Sequence, residues 1–145
     1  MTTDARLARI LALAALTAPL AACGGMKIHG MVLGGPIGRA MVVDSRDQRL
    51  TQTGIEGVEV QLVHPSAKSG GGFAPIATTT SGPDGRFELK LPESEKVRGQ
   101  VVVVADAEGI FRTTTPVYPP RAGQELLVQV HERDRERSAS ADPSP

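Results

Sequence analysis

Apolar and polar residues alternate in several short runs after residue 38. Every second residue is apolar in 58–62 (VEVQL) and in 87–91 (FELKL), and 125–130 (ELLVQV) places three apolar residues on one face. Because successive side chains of a strand point to opposite faces, such runs predict strands with one face on a core and one in water. The run 101–104 (VVVV) is apolar throughout, which indicates a strand buried on both faces in the middle of the domain.

Breaks rich in Pro, Gly and Asp separate these runs and predict turns. In 82–85 (GPDG), Pro83 fixes φ at the first turn position and Gly85 accepts a left-handed conformation, so we expect a tight β-hairpin here. The prolines in 116–120 exclude a central ladder strand there. Further strands are expected at 40–44, 76–80 and 109–117. With no helical periodicity outside the N-terminal segment, the sequence predicts an all-β fold, a single β-sandwich of seven or so short strands.

The N-terminal segment has the pattern of an export signal. Arg6 and Arg9 precede an apolar stretch at 10–18, which is too short to span a bilayer, and residues 20–24 (LAACG) follow. This ending resembles the bacterial lipobox, and the resemblance implies that the thiol of Cys23 is lipidated and that Cys23 becomes the first residue after cleavage. Two alternatives stay open: an ordinary secretory signal with an incidental cysteine, or an uncleaved anchor helix.

The chain therefore divides into four segments. We assign 1–22 to a lipoprotein signal peptide, 23–36 to the lipidated cysteine and a glycine-rich tether, 37–131 to the β-sandwich, and 132–145 to a disordered charged tail. Within the tether, 28–33 is a candidate for a short first strand. The lipobox resemblance also implies sorting: the residue after the cysteine is Gly24 rather than Asp, which in enterobacteria-like systems favours the outer membrane.

The order of strand and turn residues resembles a known family. The segments 38–44 (GRAMVVD), 54–62 (GIEGVEVQL) and 78–89 (TTTSGPDGRFEL) are similar to the carboxypeptidase regulatory-like domain, a transthyretin-like (prealbumin-like) β-sandwich. The resemblance covers roughly 36–130 and implies architecture, since its motif residues determine the fold and say little about activity. The loop 45–53 is longer and more charged than the turn usual in that family.

Composition removes several classes of function. The chain has 16 Lys and Arg against 16 Asp and Glu, so it lacks the excess of positive charge that nucleic-acid binding requires, and we expect no nucleic-acid partner. A single cysteine excludes an intrachain disulfide. With no Trp, one Tyr and three Phe, the core is expected to be aliphatic.

The sequence offers no recognisable catalytic or metal-binding set. His29, His64 and His131 are widely spaced and have no neighbouring ligand pattern, so we interpret them as surface or rim residues and expect no metal and no cofactor. Glu93 and Glu95 lie in a charged connection, where an exposed turn is a simpler interpretation than a pair of catalytic carboxylates. The signatures of intradiol dioxygenases and of transthyretin-like hydroxyisourate hydrolases are absent. The chain also has no Asn for an internal Lys–Asn isopeptide bond, which leaves a Lys–Asp bond open.

The sequence thus predicts a protein that is not an enzyme. The first hypothesis is a lipid-anchored β-sandwich of the cell envelope that acts as a structural or protein-interaction module, with the membrane as one partner through its N-terminal lipid and an envelope protein or glycan as another. The alternative is a periplasmic or surface binding protein for a small ligand or glycan. The absence of tryptophan weighs against glycan stacking, for which aromatic platforms usually supply the contact.

Overall fold

The computed structural model describes residues 25–65, 74–95 and 97–133. These residues form nine β-strands, one 3-10 helix at Gln48–Thr51, and no longer helix. The strands are β1 (Lys27–Gly34), β2 (Arg39–Asp44), β3 (Glu59–Val63), β4 (Ala77–Thr80), β5 (Arg86–Lys90), β6 (Val101–Asp106), β7 (Ile110–Phe111), β8 (Thr113–Val117) and β9 (Gln124–Glu132). The signal peptide, Cys23 and most of the predicted tail lie outside the described residues.

Two sheets pack face to face, which confirms the prediction of an all-β sandwich. The first sheet has the order β2-β9-β1-β5, with β7 also pairing with β9, and the second has the order β4-β3-β6-β8. The pairing of β1 with β9 is parallel, whereas the other pairings are antiparallel. At one side of the sandwich the backbone N–H of Ala40 donates to Oγ1 of Thr115 (3.1 Å), which links the edges of the two sheets.

The main core lies between the sheets and is aliphatic apart from the ring of Phe87, as composition predicted. The alternating residues of β3, β5 and β9 point into it, and each fully buried side chain contributes roughly 1.5–3 kcal/mol to stability. β6 lies between β3 and β8, as predicted for 101–104, but its burial on both faces is incomplete, because Val104 is buried on the outer face whereas Val102 is only partly buried. The side chains that fill the centre of this core include Ile28, Val32, Val60, Leu62, Leu89, Val103, Leu126 and Val128.

The strand count exceeds the expected seven or so for two reasons. The predicted strand at 109–117 is divided at Arg112: β7 pairs with β9 in the first sheet, and β8 crosses to pair with β6 in the second. Pro116 therefore lies in an edge strand, where proline is tolerated because one side of the strand makes no ladder bonds. The other addition is β1.

Most of the segment that we assigned to a tether is a central strand. β1 occupies Lys27–Gly34, pairs on both sides, and buries Ile28 and Val32 in the main core. Gly30 is required here for packing: a Cβ at this position would collide with the ring of Phe87 and with the carbonyl oxygen of Leu126. The glycines of 23–36 predict a flexible tether, and this prediction is wrong at Gly30, where the missing side chain makes room for the ring of Phe87 on the neighbouring strand.

A second, smaller apolar cluster covers the outer face of the first sheet. The charged loop 45–53 folds back over this face and places Leu50, 3% exposed, against Met31, Leu33 and Leu127. The guanidinium of Arg86 donates to the carbonyl oxygen of Leu50 (2.9 Å) and holds the loop down. The length of this loop thus provides a cover for apolar residues that would otherwise face water.

The predicted tight turn is present, but it does not form a β-hairpin. Gly85 has a φ of +80°, and its N–H donates to the carbonyl oxygen of Gly82 (2.8 Å), as the turn prediction required. However, β4 pairs with β3 whereas β5 pairs with β1, so the turn connects the two sheets. The side chain of Ser81, 3% exposed, explains the divergence: its hydroxyl accepts from the N–H of Val58 (2.9 Å) and donates to the carbonyl oxygen of Ile55 (2.7 Å).

Candidate functional site

The predicted lipidation site lies very close to the folded domain. Cys23 is outside the described residues, but it precedes Gly25, the first described residue, by only two positions, and β1 begins at Lys27. The carbonyl oxygen of Met26 accepts from the N–H of Leu91 (2.9 Å), so the chain is already attached to the sandwich at that point. We therefore consider the end of the domain where β1 begins to be the candidate functional site.

Strand directions bring two loops to this end. β1 and β9 run parallel, so both begin here, and β5, antiparallel to β1, ends here. β8 also ends here, because the six residues 118–123 connect it directly to β9. We call the surface formed by Gly25–Met26, by 91–95 with 97–98, and by 118–123 the anchor end.

The loop 118–123 is held in one conformation by its hydrogen bonds and its prolines. The N–H of Gln124 donates to the carbonyl oxygen of Arg121 (2.9 Å), and the N–H of Arg121 donates to Oε1 of Gln124 (3.0 Å). The carbonyl oxygen of Gly123 accepts from the N–H of Ser45 (2.9 Å). Pro119 and Pro120 have their own φ fixed by the ring, and each disfavours the helical conformation at the residue before it. This loop begins with Tyr118, whose side chain is 68% exposed.

Met26 and Tyr118 are exposed apolar residues on either side of Arg121. Met26 is 43% exposed and shares an open groove of about 300 Å³ with Pro120 and Arg121. A neighbouring open groove of about 480 Å³ is lined by Tyr118, Pro119 and again Arg121. Arg121 thus lies between Tyr118 and Met26, and Met26 is three residues after Cys23 in the chain.

The opposite side of the anchor end carries charges of both signs. A third groove, of about 410 Å³, is lined by Met26 together with Glu93, Glu95 and Arg98. Glu95 contacts the imidazole of His64, with 3.3 Å between Oε2 and Nε2. The two sides of the anchor end therefore differ in charge: the groove on one side is lined by Lys27 and Arg121 and by no acidic residue, and the groove on the other by both glutamates and Arg98.

The histidines do not come together. Nδ1 of His29 lies 3.8 Å from a carboxylate oxygen of Glu88 on the outer face of the first sheet, whereas His64 contacts Glu95. His131 stacks on Phe111 with 5.3 Å between ring centroids. Within 25–65, 74–95 and 97–133, no group of three or more His, Cys, Asp or Glu side chains is arranged to hold a metal ion.

One acidic group has a strongly shifted pKa, and it belongs to the loop over the second apolar cluster. The Arg49 side chain donates to both carboxylate oxygens of Asp47 (3.0 and 2.7 Å), and the Arg49 backbone N–H donates to Oδ1 (2.9 Å). These bonds lower the pKa of Asp47 to about 2. The pair caps the 3-10 helix that carries Leu50, so its role is in the structure of the loop.

A fourth open groove runs between the edges of β4 and β5. It measures about 440 Å³ and is lined mainly by hydroxyl and charged side chains, among them Thr78, Thr80, Glu88 and Lys90. The described part of the chain holds no helix that could cross a membrane. Comparison of the chain with protein-family models, with curated proteins and with solved structures found no match.

Proposed function

We propose that this protein is a lipoprotein of the cell envelope: a non-catalytic β-sandwich that acts as a structural or interaction module and is held on a membrane by lipid on Cys23. The observation that carries the proposal is the Leu-Ala-Ala-Cys ending of an export signal, placed two residues before the folded domain. Two or three acyl chains on that residue would make an effectively permanent anchor, at about 0.8 kcal/mol per buried methylene.

The architecture of the domain supports this role. A β-sandwich whose outer apolar face is closed by its own loop needs no further domain to cover it, so it can stand on a lipid surface as a separate unit. Its two-sheet architecture is also what the carboxypeptidase regulatory-like resemblance implies, and membership of that family is part of the proposal. Sorting to the outer membrane follows from Gly24 if the host has two membranes.

Metabolic labelling with palmitate in the host tests the acylation. Because Cys23 is the single cysteine of the chain, we expect label and membrane association in the wild type and neither in Cys23→Ala. Gly24→Asp is the matched control: it keeps the thiol, so label is retained, and it is expected to move the protein to the inner membrane. Absence of label on the wild type, or equal label on Cys23→Ala, would refute the proposal.

Ligand binding is the second candidate, and the groove between β4 and β5 favours it. Its threonine hydroxyls and charged groups could bind a small polar molecule or a sugar, although the groove is open along its length. A thermal-shift screen against envelope glycans and metabolites distinguishes the two candidates, because a ligand that binds only the folded state raises its stability by mass action.

A further inference from the structure

We propose that the anchor end of the sandwich lies directly on the phospholipid surface, with Tyr118 and Met26 at the membrane interface and Arg121 between anionic headgroups. This inference rests on the proposed acylation of Cys23. It adds to that proposal an orientation of the domain and a second, non-covalent contact with the bilayer.

The length of chain between the lipid and the fold is the first argument. An extended chain spans at most about 3.6 Å per residue, so the two steps from Cys23 to Gly25 cover about 7 Å. The headgroup region of one leaflet is about as thick, since a bilayer of about 40–45 Å has a hydrocarbon core of about 30 Å. Gly25 is itself fixed against the sandwich, where a Cβ would collide with the carbonyl oxygen of Leu91. An acylated Cys23 therefore leaves no room for a tether, and β1 begins at headgroup level.

The chemistry of the anchor end is the second argument. Tyr118 combines an apolar ring with a polar hydroxyl, which is the combination that is enriched where membrane meets water. At 68% exposure it is the most exposed large hydrophobic side chain of the described residues, and it directly follows β8, which ends at the anchor end. Arg121 can extend along the same surface and place its charge among phosphates while its methylenes remain in apolar contact.

The distribution of charge predicts which way the domain leans. The groove on the Arg121 side is also lined by Lys27 and by no acidic residue, whereas Glu93 and Glu95 lie with Arg98 on the far side of Met26, so anionic lipids attract the Arg121 side more strongly. The sandwich is therefore expected to tilt so that the loop 118–123 approaches the bilayer and the glutamates move away. Ile37, 66% exposed in the connection between β1 and β2, lies at the opposite end and points away from the membrane.

Tyrosine fluorescence measures this contact directly. The chain has one Tyr and no Trp, so its emission reports on Tyr118 alone. We would reconstitute the full acylated protein into vesicles of phosphatidylethanolamine and phosphatidylglycerol that contain a phospholipid with a nitroxide on its headgroup. Because an interfacial tyrosine lies at the depth of that label, we expect the emission to fall roughly twofold. We also expect it to be shielded from acrylamide in the water.

A double variant, Tyr118→Phe with Ile37→Tyr, is the matched control because it moves the fluorophore to the other end of the same domain. We expect acrylamide, and not the lipid label, to quench it. Arg121→Glu is expected to weaken the lipid quenching in vesicles with phosphatidylglycerol and to change it little in pure phosphatidylcholine, whereas Arg121→Lys retains the wild-type response. Far-UV circular dichroism checks that each variant is folded.

The outcomes separate this inference from the proposed function. If palmitate labels Cys23 but the lipid nitroxide quenches Tyr118 no more than the tyrosine at position 37, the acylated protein stands away from the bilayer and the inference is wrong while the lipoprotein proposal survives. If the wild-type protein carries no lipid, both are wrong.

Discussion

Replacing Gly85 by alanine is expected to destabilise the fold through two separate effects. Gly85 has a φ of +80°, which costs an L-residue about 1–2 kcal/mol. In addition, a Cβ at this position would collide with the Cα of Gly54 and lie 2.7 Å from the backbone nitrogen of Ile55, so backbone would have to move. Overpacking of this kind costs about 1–3 kcal/mol, which brings the expected total to about 2–5 kcal/mol.

Two further glycines allow the effects to be measured one at a time. Gly109 has a φ of +78° with nothing within 4 Å of a Cβ, so Gly109→Ala measures the backbone effect alone. Gly54 is not among the positive-φ residues, but its Cβ would lie 2.6 Å from the carbonyl oxygens of Asp84 and Val32, so Gly54→Ala measures the collision alone. We expect the loss in Gly85→Ala to approach the sum of the other two, reduced by any relaxation that the two backbones share.

Urea denaturation followed by far-UV circular dichroism provides the assay, with all variants in a Cys23→Ala background so that acylation does not interfere. A shift of the midpoint at constant slope then converts to a change in the free energy of unfolding. Natural domains have only about 5–15 kcal/mol, so the expected loss for Gly85→Ala is large. If Gly85→Ala proves no more destabilising than Gly109→Ala, the close approach of the turn to Gly54 does not exist and the description of this junction is wrong.

Two other predictions follow from the hydrogen bonds of the loops. Ser81→Ala leaves the buried N–H of Val58 and the partly buried carbonyl of Ile55 without their side-chain partner and should cost about 1–3 kcal/mol by the same assay. Thr80→Ala, on the exposed face of β4, should cost less, and equal effects would contradict the buried role of Ser81. The pKa of Asp47, measured by NMR from the chemical shift of its carboxyl carbon, is expected near 2 in the wild type. In Arg49→Gln we expect this pKa to rise toward 3.8. Since folding lowers this pKa, the contribution of Asp47 to stability is present at a pH above its pKa in the unfolded chain, near 3.9, and is lost as the pH falls toward 2. A pKa that does not change in Arg49→Gln would show that the ion pair does not form in solution.

Local patterns predicted the class of fold because their physical causes are local. The alternation at 58–62 and 87–91 corresponds to β3 and β5, since side-chain direction in a strand depends only on the period of the backbone. The left-handed conformation of Gly85 was predicted in the same way, from the turn that surrounds it. Lipidation at Cys23 is likewise a matter of a short linear motif, and for that reason the sequence alone can propose it.

Which strands pair, and whether a turn joins paired strands, depended on residues that are distant in the sequence. Whether the turn at Gly85 would form a hairpin depended on Ser81 bonding to Val58 and Ile55, and on β1 being available to pair with β5. That β1 is a strand at all was hidden by its glycines, because the reason for Gly30 is the ring of Phe87 on another strand.

The anchor end shows the same division between what the sequence by itself determined and what the tertiary structure decided. The linear motif proposes that a lipid is attached and where along the chain. Which side chains then face the bilayer depends on parallel β1 and β9 beginning at one end of the sandwich, since that arrangement brings Met26 beside Arg121 and places Tyr118 at the same end. Short-range periodicity specifies the strands, whereas the surface they build is determined by contacts between residues that no local pattern connects.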